Sequence, residues 1–97
     1  MKLESELVKK IHKLCAKNDI WNLNIKEHNL NGTPDRLIVL RDGTYIWLEV
    51  KREDKTGRLS PIQTYRHAEM KGYKMTVYVI DDIEQLKEIL SRFVTLK

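Results

Sequence analysis

Apolar side chains recur at spacings of three and four from the third residue onward: Leu3, Leu7, Val8, Ile11, Leu14 and Cys15. That period predicts an amphipathic helix over residues 3–17, with Lys9, Lys10, Lys13 and Lys17 on its solvent side and Asn18-Asp19 ending it. The period then drops to two. Trp21, Leu23 and Ile25 alternate with Asn22, Asn24 and Lys26, the pattern of a half-buried strand. Residues 28–34 contain Asn29, Asn31, Gly32 and Pro34 and read as a loop. Two β-branched and aromatic runs follow, residues 35–40 and 44–51, on either side of Arg41-Asp42-Gly43. They predict a β-hairpin closed by a type I turn, with Gly43 in the left-handed position of a G1 bulge.

Residues 52–59 are dense in charge and are expected to form a mobile loop. Ser60 before Pro61 has the form of an N-cap followed by proline at the first helical position, and Gly72 is a fitting stop for that helix. Over residues 73–80, Met75, Val77 and Val79 alternate with Lys74, Thr76 and Tyr78, predicting a strand. Asp81-Asp82 caps a last helix running to about Leu90. The tail, residues 91–97, suits either a short edge strand or a frayed end. The order α-β-β-β-α-β-α implies an α/β domain with a mixed sheet.

With 97 residues, the chain is expected to be a single domain over residues 1–97. A chain of this size buries only about 60% of its unfolded surface, so a second copy would help its small core. The net charge of +4 favours a polyanionic partner, and the positive excess lies in residues 1–75. One cysteine, Cys15, excludes an intrachain disulfide and a cysteine-based zinc site, and its place on the apolar stripe suggests an inert buried thiol. The charged N-terminal residues lack the apolar stretch of a secretory signal, and no apolar run is long enough for a membrane span. A soluble protein of a reducing compartment, the cytoplasm, is expected.

The hairpin carries the chemistry. Along residues 44–51, Tyr45, Trp47, Glu49 and Lys51 share one face, and Ile46, Leu48 and Val50 the other. A three-residue loop pairs Leu40 with Thr44, which sets Asp35 opposite Glu49 with Lys51 one pleat beyond; a two-residue loop would separate the carboxylates. Facing carboxylates need a cation or a proton between them. A hard divalent ion such as Mg²⁺ or Mn²⁺ fits an oxygen donor set and leaves positions for water and a phosphate oxygen. Lys51 beside it would orient or activate water, or stabilise phosphoryl charge. The plainer alternative is a surface Asp and Glu flanking a structural lysine. Trp47, on the same face, is expected to be core beneath the site. His12, His28 and His67 have no spacing that suggests a shared metal.

Gly32-Thr33-Pro34-Asp35, thirteen further residues and then Glu49-Val50-Lys51 resemble the signature of the PD-(D/E)XK nuclease superfamily. With Glu4-Ser5-Glu6-Leu7 opening the first helix and Gly57-Arg58-Leu59-Ser60-Pro61-Ile62-Gln63 opening a later one, the chain most resembles its VRR-NUC (virus-type replication-repair nuclease) domains, of the stand-alone phage or bacterial type. The resemblance spans about residues 4–90. It implies a restriction-endonuclease-like αβββαβ(α) core, a central mixed sheet flanked by helices. It also implies that Asp35, Glu49 and the Val50 carbonyl hold Mg²⁺ or Mn²⁺, that Lys51 activates water, and that Gln63 contacts the water or the scissile phosphate. A first-helix acid would join them. Glu4 and Glu6 both qualify, and Glu4, about 40° from the apolar stripe against about 120° for Glu6, is favoured.

Arg52, Lys55 and Arg58 are the basic residues best placed to follow phosphates. The expected function is a metal-dependent DNA endonuclease acting as a homodimer on branched DNA such as Holliday junctions, in the host cytoplasm if a phage encodes it. The alternative is a non-catalytic nucleic-acid-binding module of the same fold.

Overall fold

The structure, a computed structural model, describes residues 5–25 and 31–97. Helix α1 spans Glu6–Lys17. Its N-cap is Ser5, whose hydroxyl accepts the Val8 N–H at 3.1 Å, and its stripe of Leu7, Ile11, Leu14 and Cys15 is buried. Leu3, where the apolar period begins, lies outside the described residues. At the C-terminus Asp19 takes φ 58°, and the Ile20 N–H returns to the Cys15 carbonyl at 2.9 Å, a Schellman closure.

Strands β1 (Trp21–Asn24), β2 (Arg36–Val39) and β3 (Tyr45–Val50) form an antiparallel meander. The β2–β3 register pairs Val39 with Tyr45 and Arg36 with Leu48. The turn is the three-residue form: Leu40 N–H donates to the Thr44 carbonyl at 2.8 Å, and Gly43 takes φ 89°. Helix α2 (Pro61–Gly72) then carries the chain to β4 (Val77–Ile80), which pairs parallel with β3, and α3 (Ile83–Ser91) follows. The sheet order is β1-β2-β3-β4.

Period-two alternation assigns the two faces. Ile38, Ile46, Leu48 and Ile80 meet Leu7, Ile11 and Leu14 of α1 and Leu86, Ile89 and Leu90 of α3 in one apolar core. Helix α2 covers the other face, burying His67 and Met70. The mixed sheet between helices is the α/β arrangement expected from the sequence. No helix among the described residues is long and apolar enough to cross a membrane.

Four expectations change. First, the apolar side of β1 faces away from the core: Trp21 and Leu23 pair with Val39 and Leu37 on the α2 side. Helix α2 packs towards β4 and leaves that edge uncovered, so Trp21 is 64% exposed. Asn22 faces the core instead, accepting a hydrogen bond at 3.2 Å from the buried Arg36. Second, β4 starts at Val77, not Tyr73, because the α2 cap consumes the intervening residues. Lys74, not Gly72, takes the left-handed position, and Met75 N–H closes on the Met70 carbonyl.

Third, residues 52–59 are tied down. Glu53 pairs with Lys10 at 2.9 Å, Lys55 with Asp81 at 2.5 Å and Asp82 at 2.7 Å, and Asp54 accepts from the Thr56 amide and hydroxyl. Fourth, the tail forms no strand. Val94 and Leu96 pack on the core and Lys97 N–H donates to Asn18 Oδ1. Cys15 is the buried thiol expected of its stripe position; burial pushes it up to about 11, against the nearby Arg36 charge.

Candidate active site

Tyr45, Trp47, Glu49 and Lys51 project from β3 towards α2, and they meet more burial at each step towards Glu49, which is 2% exposed. Continuing the β2–β3 register one residue past Arg36–Leu48 brings Asp35 opposite Glu49. Asp35 Oδ2 accepts the Val50 N–H at 3.2 Å, and its carbonyl accepts the Ile25 N–H at 2.7 Å, so its backbone and side chain are both anchored in the sheet. The two carboxylates and the Val50 backbone therefore gather at the open end of the hairpin.

Gly32 fixes the approach to Asp35. Its φ is 85°, and a Cβ there would stand 2.5 Å from the Ile62 carbonyl oxygen and 3.1 Å from Arg66 Cβ. The loop leading to Asp35 thus runs directly against the first turn of α2. Arg66 Nε donates to the Asn31 carbonyl at 3.0 Å and holds it there, while Pro34 is fully buried.

Lys51 extends the ladder, its N–H donating to the Ile80 carbonyl at 2.9 Å. Its Nζ donates to Gln63 Oε1 at 2.9 Å. The same oxygen accepts the Ser60 N–H at 2.9 Å, and Ser60 Oγ accepts the Gln63 N–H at 3.2 Å. Gln63 is thereby both the capping-box partner of α2 and the acceptor that fixes the lysine. The stem of Lys51 is flanked by Gly57, where a Cβ would come within 3.2 Å of Lys51 Cβ. Ser60→Ala is expected to lower stability by about 1 kcal/mol in urea denaturation. A loss of only a few tenths would mean that the hydroxyl contributes little to this cap.

His67, one helical turn beyond Gln63, is the site neighbour that sequence reasoning missed. Its Nε2 lies 3.3 Å from Glu49 Oε1. Burial holds its imidazole below the ordinary value, as do the Lys71 and Lys51 charges, with Asp35 pulling the other way. The signal was available: a spacing of four on α2 puts Gln63 and His67 on one helix face. Trp47, one pleat before Glu49, is half-buried and walls an apolar cleft of about 420 Å³ with Met70 and Met75.

The remaining candidates are placed differently. Glu4 lies outside the described residues, as does His28, and Glu6 is exposed and paired with Lys9 at 3.2 Å. Lys55 is engaged by Asp81 and Asp82, whose hydrogen bonds raise its pKa, and its ammonium in turn, with the Gln85 N–H, holds the Asp82 carboxyl below the usual value. Arg58 Nη1 donates to the Lys55 and Gly57 carbonyls, and Arg52 is exposed. Among the described residues no group of three His, Cys, Asp or Glu side chains converges. Asp35, Glu49 and the Val50 carbonyl, the groups expected from the sequence to hold a cation, offer only oxygen, a chemistry that would fit a hard divalent ion keeping several waters and not a soft one.

No protein-family model matches the chain, and no curated protein does. Among solved structures, one described as a VRR_NUC domain superposes with a TM-score of 0.77 over 91% of this chain and 94% of its own, at 18% sequence identity. The chain therefore has the restriction-endonuclease-like fold of a VRR-NUC domain.

Proposed function

We propose that this protein is a metal-dependent endodeoxyribonuclease of the VRR-NUC type that hydrolyses phosphodiester bonds. The observation that carries the reading is the hairpin register: Asp35 stands opposite Glu49, and on that face Lys51 is held by Gln63 at 2.9 Å. The shared fold supports it. Asp35, Glu49 and the Val50 carbonyl would hold Mg²⁺ or Mn²⁺, which when bound polarises a phosphoryl oxygen and acidifies water.

The chain's own groups do the rest. Lys51, with one donor committed to Gln63, has two further N–H groups to orient the attacking water and to offset charge that develops on the phosphate. Gln63 Oε1 is occupied by Ser60 and Lys51, so its amide nitrogen is the group that donates to water or phosphate. Arg52 and Arg58 follow the DNA backbone, and Lys55 joins them by exchanging its carboxylate partners for phosphates.

The described residues hold one such set, so symmetric cutting of a branched substrate such as a four-way junction takes two chains. A two-fold homodimer in the cytoplasm is the proposed working form. Among the described residues the outer edge of β1 has no paired strand, and with Trp21 exposed it is compatible with such an assembly.

Incubating plasmid and four-way-junction DNA with Mg²⁺ or Mn²⁺ tests the reading. Cleavage is expected in both metals and none in EDTA. DNA retarded on a gel but uncut under every condition would instead identify a non-catalytic binding module, and discrete plasmid fragments a sequence-specific enzyme. Light scattering that finds a monomer at micromolar concentration removes the junction assignment.

A further inference from the structure

Helix α2 presents two side chains, four residues apart, to two residues of β3 that are two apart. Four helical residues rise about 6 Å and two strand residues about 6.7 Å, so the spacings match. Gln63 meets Lys51, with Oε1 at 2.9 Å from Nζ, and His67 meets Glu49, with Nε2 at 3.3 Å from Oε1. The second meeting is the more enclosed: the side chains are 5% and 2% exposed. At that burial water is not at hand to screen the contact. A ring lone pair facing a carboxylate oxygen would repel it, so the tautomer that suits this geometry carries its proton on Nε2.

We propose that His67 is a positioning residue for Glu49: its Nε2, 3.3 Å from Oε1 and short of a formed hydrogen bond in this structure, is placed to donate to that oxygen and orient the carboxylate towards the cation. The proposal rests on the metal-nuclease reading and adds to it the group that orients one ligand. Partners behind metal ligands fix orientation and raise ligand basicity, and their loss typically costs roughly 10–100-fold in metal affinity. The same helix face then sets both the lysine and the carboxylate, which ties their alignment to a single rigid element.

Mn²⁺ binding measured by calorimetry without DNA is the test, on wild type, His67→Leu, His67→Gln and Glu49→Gln, with circular dichroism to confirm folding. His67→Leu, close in volume but without a donor, is expected to weaken Mn²⁺ binding roughly 10–100-fold. His67→Gln, whose amide nitrogen reaches about as far as Nε2, is expected to recover most of that loss. Wild-type affinity in His67→Leu overturns the proposal while leaving the metal reading intact, as does an equal loss in both variants. Wild type that binds no Mn²⁺, or Glu49→Gln that binds as wild type does, overturns the metal reading and this proposal with it. Should His67→Leu fail to fold, His67→Asn, too short to reach Oε1, takes its place: weaker binding than His67→Gln supports the assignment, and equal binding overturns it.

Discussion

Lys51→Met lowers the rate of DNA cleavage by roughly 10²- to 10⁴-fold, the range for loss of a positioned proton-transfer or charge-stabilising group. Methionine keeps much of the stem that packs beside Gly57 and removes only the ammonium, so the loop and the β3–β4 ladder stay in place. Mn²⁺ affinity should be unchanged or slightly higher, because Asp35 keeps its hydrogen bond from the Val50 N–H and the carboxylates lose a competing cation. Single-turnover cleavage of a labelled duplex or junction reads the rate, and a gel shift in Ca²⁺ reads DNA binding separately. A variant that cuts within threefold of wild type would remove Lys51 from the mechanism. One that cuts normally at saturating DNA but binds poorly would make it a phosphate contact only.

The second large effect is on stability. Gly32→Ala should destabilise the fold by roughly 2–5 kcal/mol, the sum of two costs. A left-handed conformation costs an L-residue about 1–2 kcal/mol, and forcing an atom into a packed contact about 1–3 kcal/mol. The added methyl would stand 2.5 Å from the Ile62 carbonyl oxygen, an atom that α2 cannot move without breaking its first turn. Gly43→Ala is the matched control. Its φ is 89° but its Cβ would enter open space, so only the conformational cost of about 1–2 kcal/mol remains. Urea unfolding of the two variants separates the terms: equal losses would show that the close approach to α2 contributes nothing. Because the Gly32 segment leads to Asp35, whatever Gly32→Ala protein does fold should also be slow in cleavage.

The features that were legible in the sequence are those set by local chemistry. Three residues between two alternating runs, with glycine third, fix a turn type, and the turn type fixes the register that brings Asp35 to Glu49. Ser60 and Pro61 announce a helix start for the same reason: an N–H needs an acceptor and a proline needs no donor. What escaped is set by which element covers which. Alternation in β1 shows that Trp21 and Leu23 share a face but not that α2 stops short of it. Arg36 lies on the opposite face of β2 from Asp35, so strand parity turns its charge into the core beside Asn22, a placement that composition alone does not reveal. His67 had no histidine or cysteine nearby in sequence; its partner is a glutamate on another element, which only packing brings within reach. Helix α2 does end at Gly72, but the left-handed position falls two residues on, at Lys74, because the Schellman closure there tolerates a lysine where glycine would cost less.

The latch of Lys55 on Asp81 and Asp82 bears on how ionic strength acts on this protein. All three side chains are at least a quarter exposed, so the attraction between them is open to mobile ions. At about 0.15 M salt the screening length is roughly 8 Å, and at 1 M roughly 3 Å. Added salt therefore weakens the grip of α3 on the segment that flanks Lys51 over the same range in which it displaces DNA from the arginines. A plot of cleavage against salt concentration would then combine counterion release from the nucleic acid with loosening of the enzyme itself. Its slope would count more charges than those that touch phosphate.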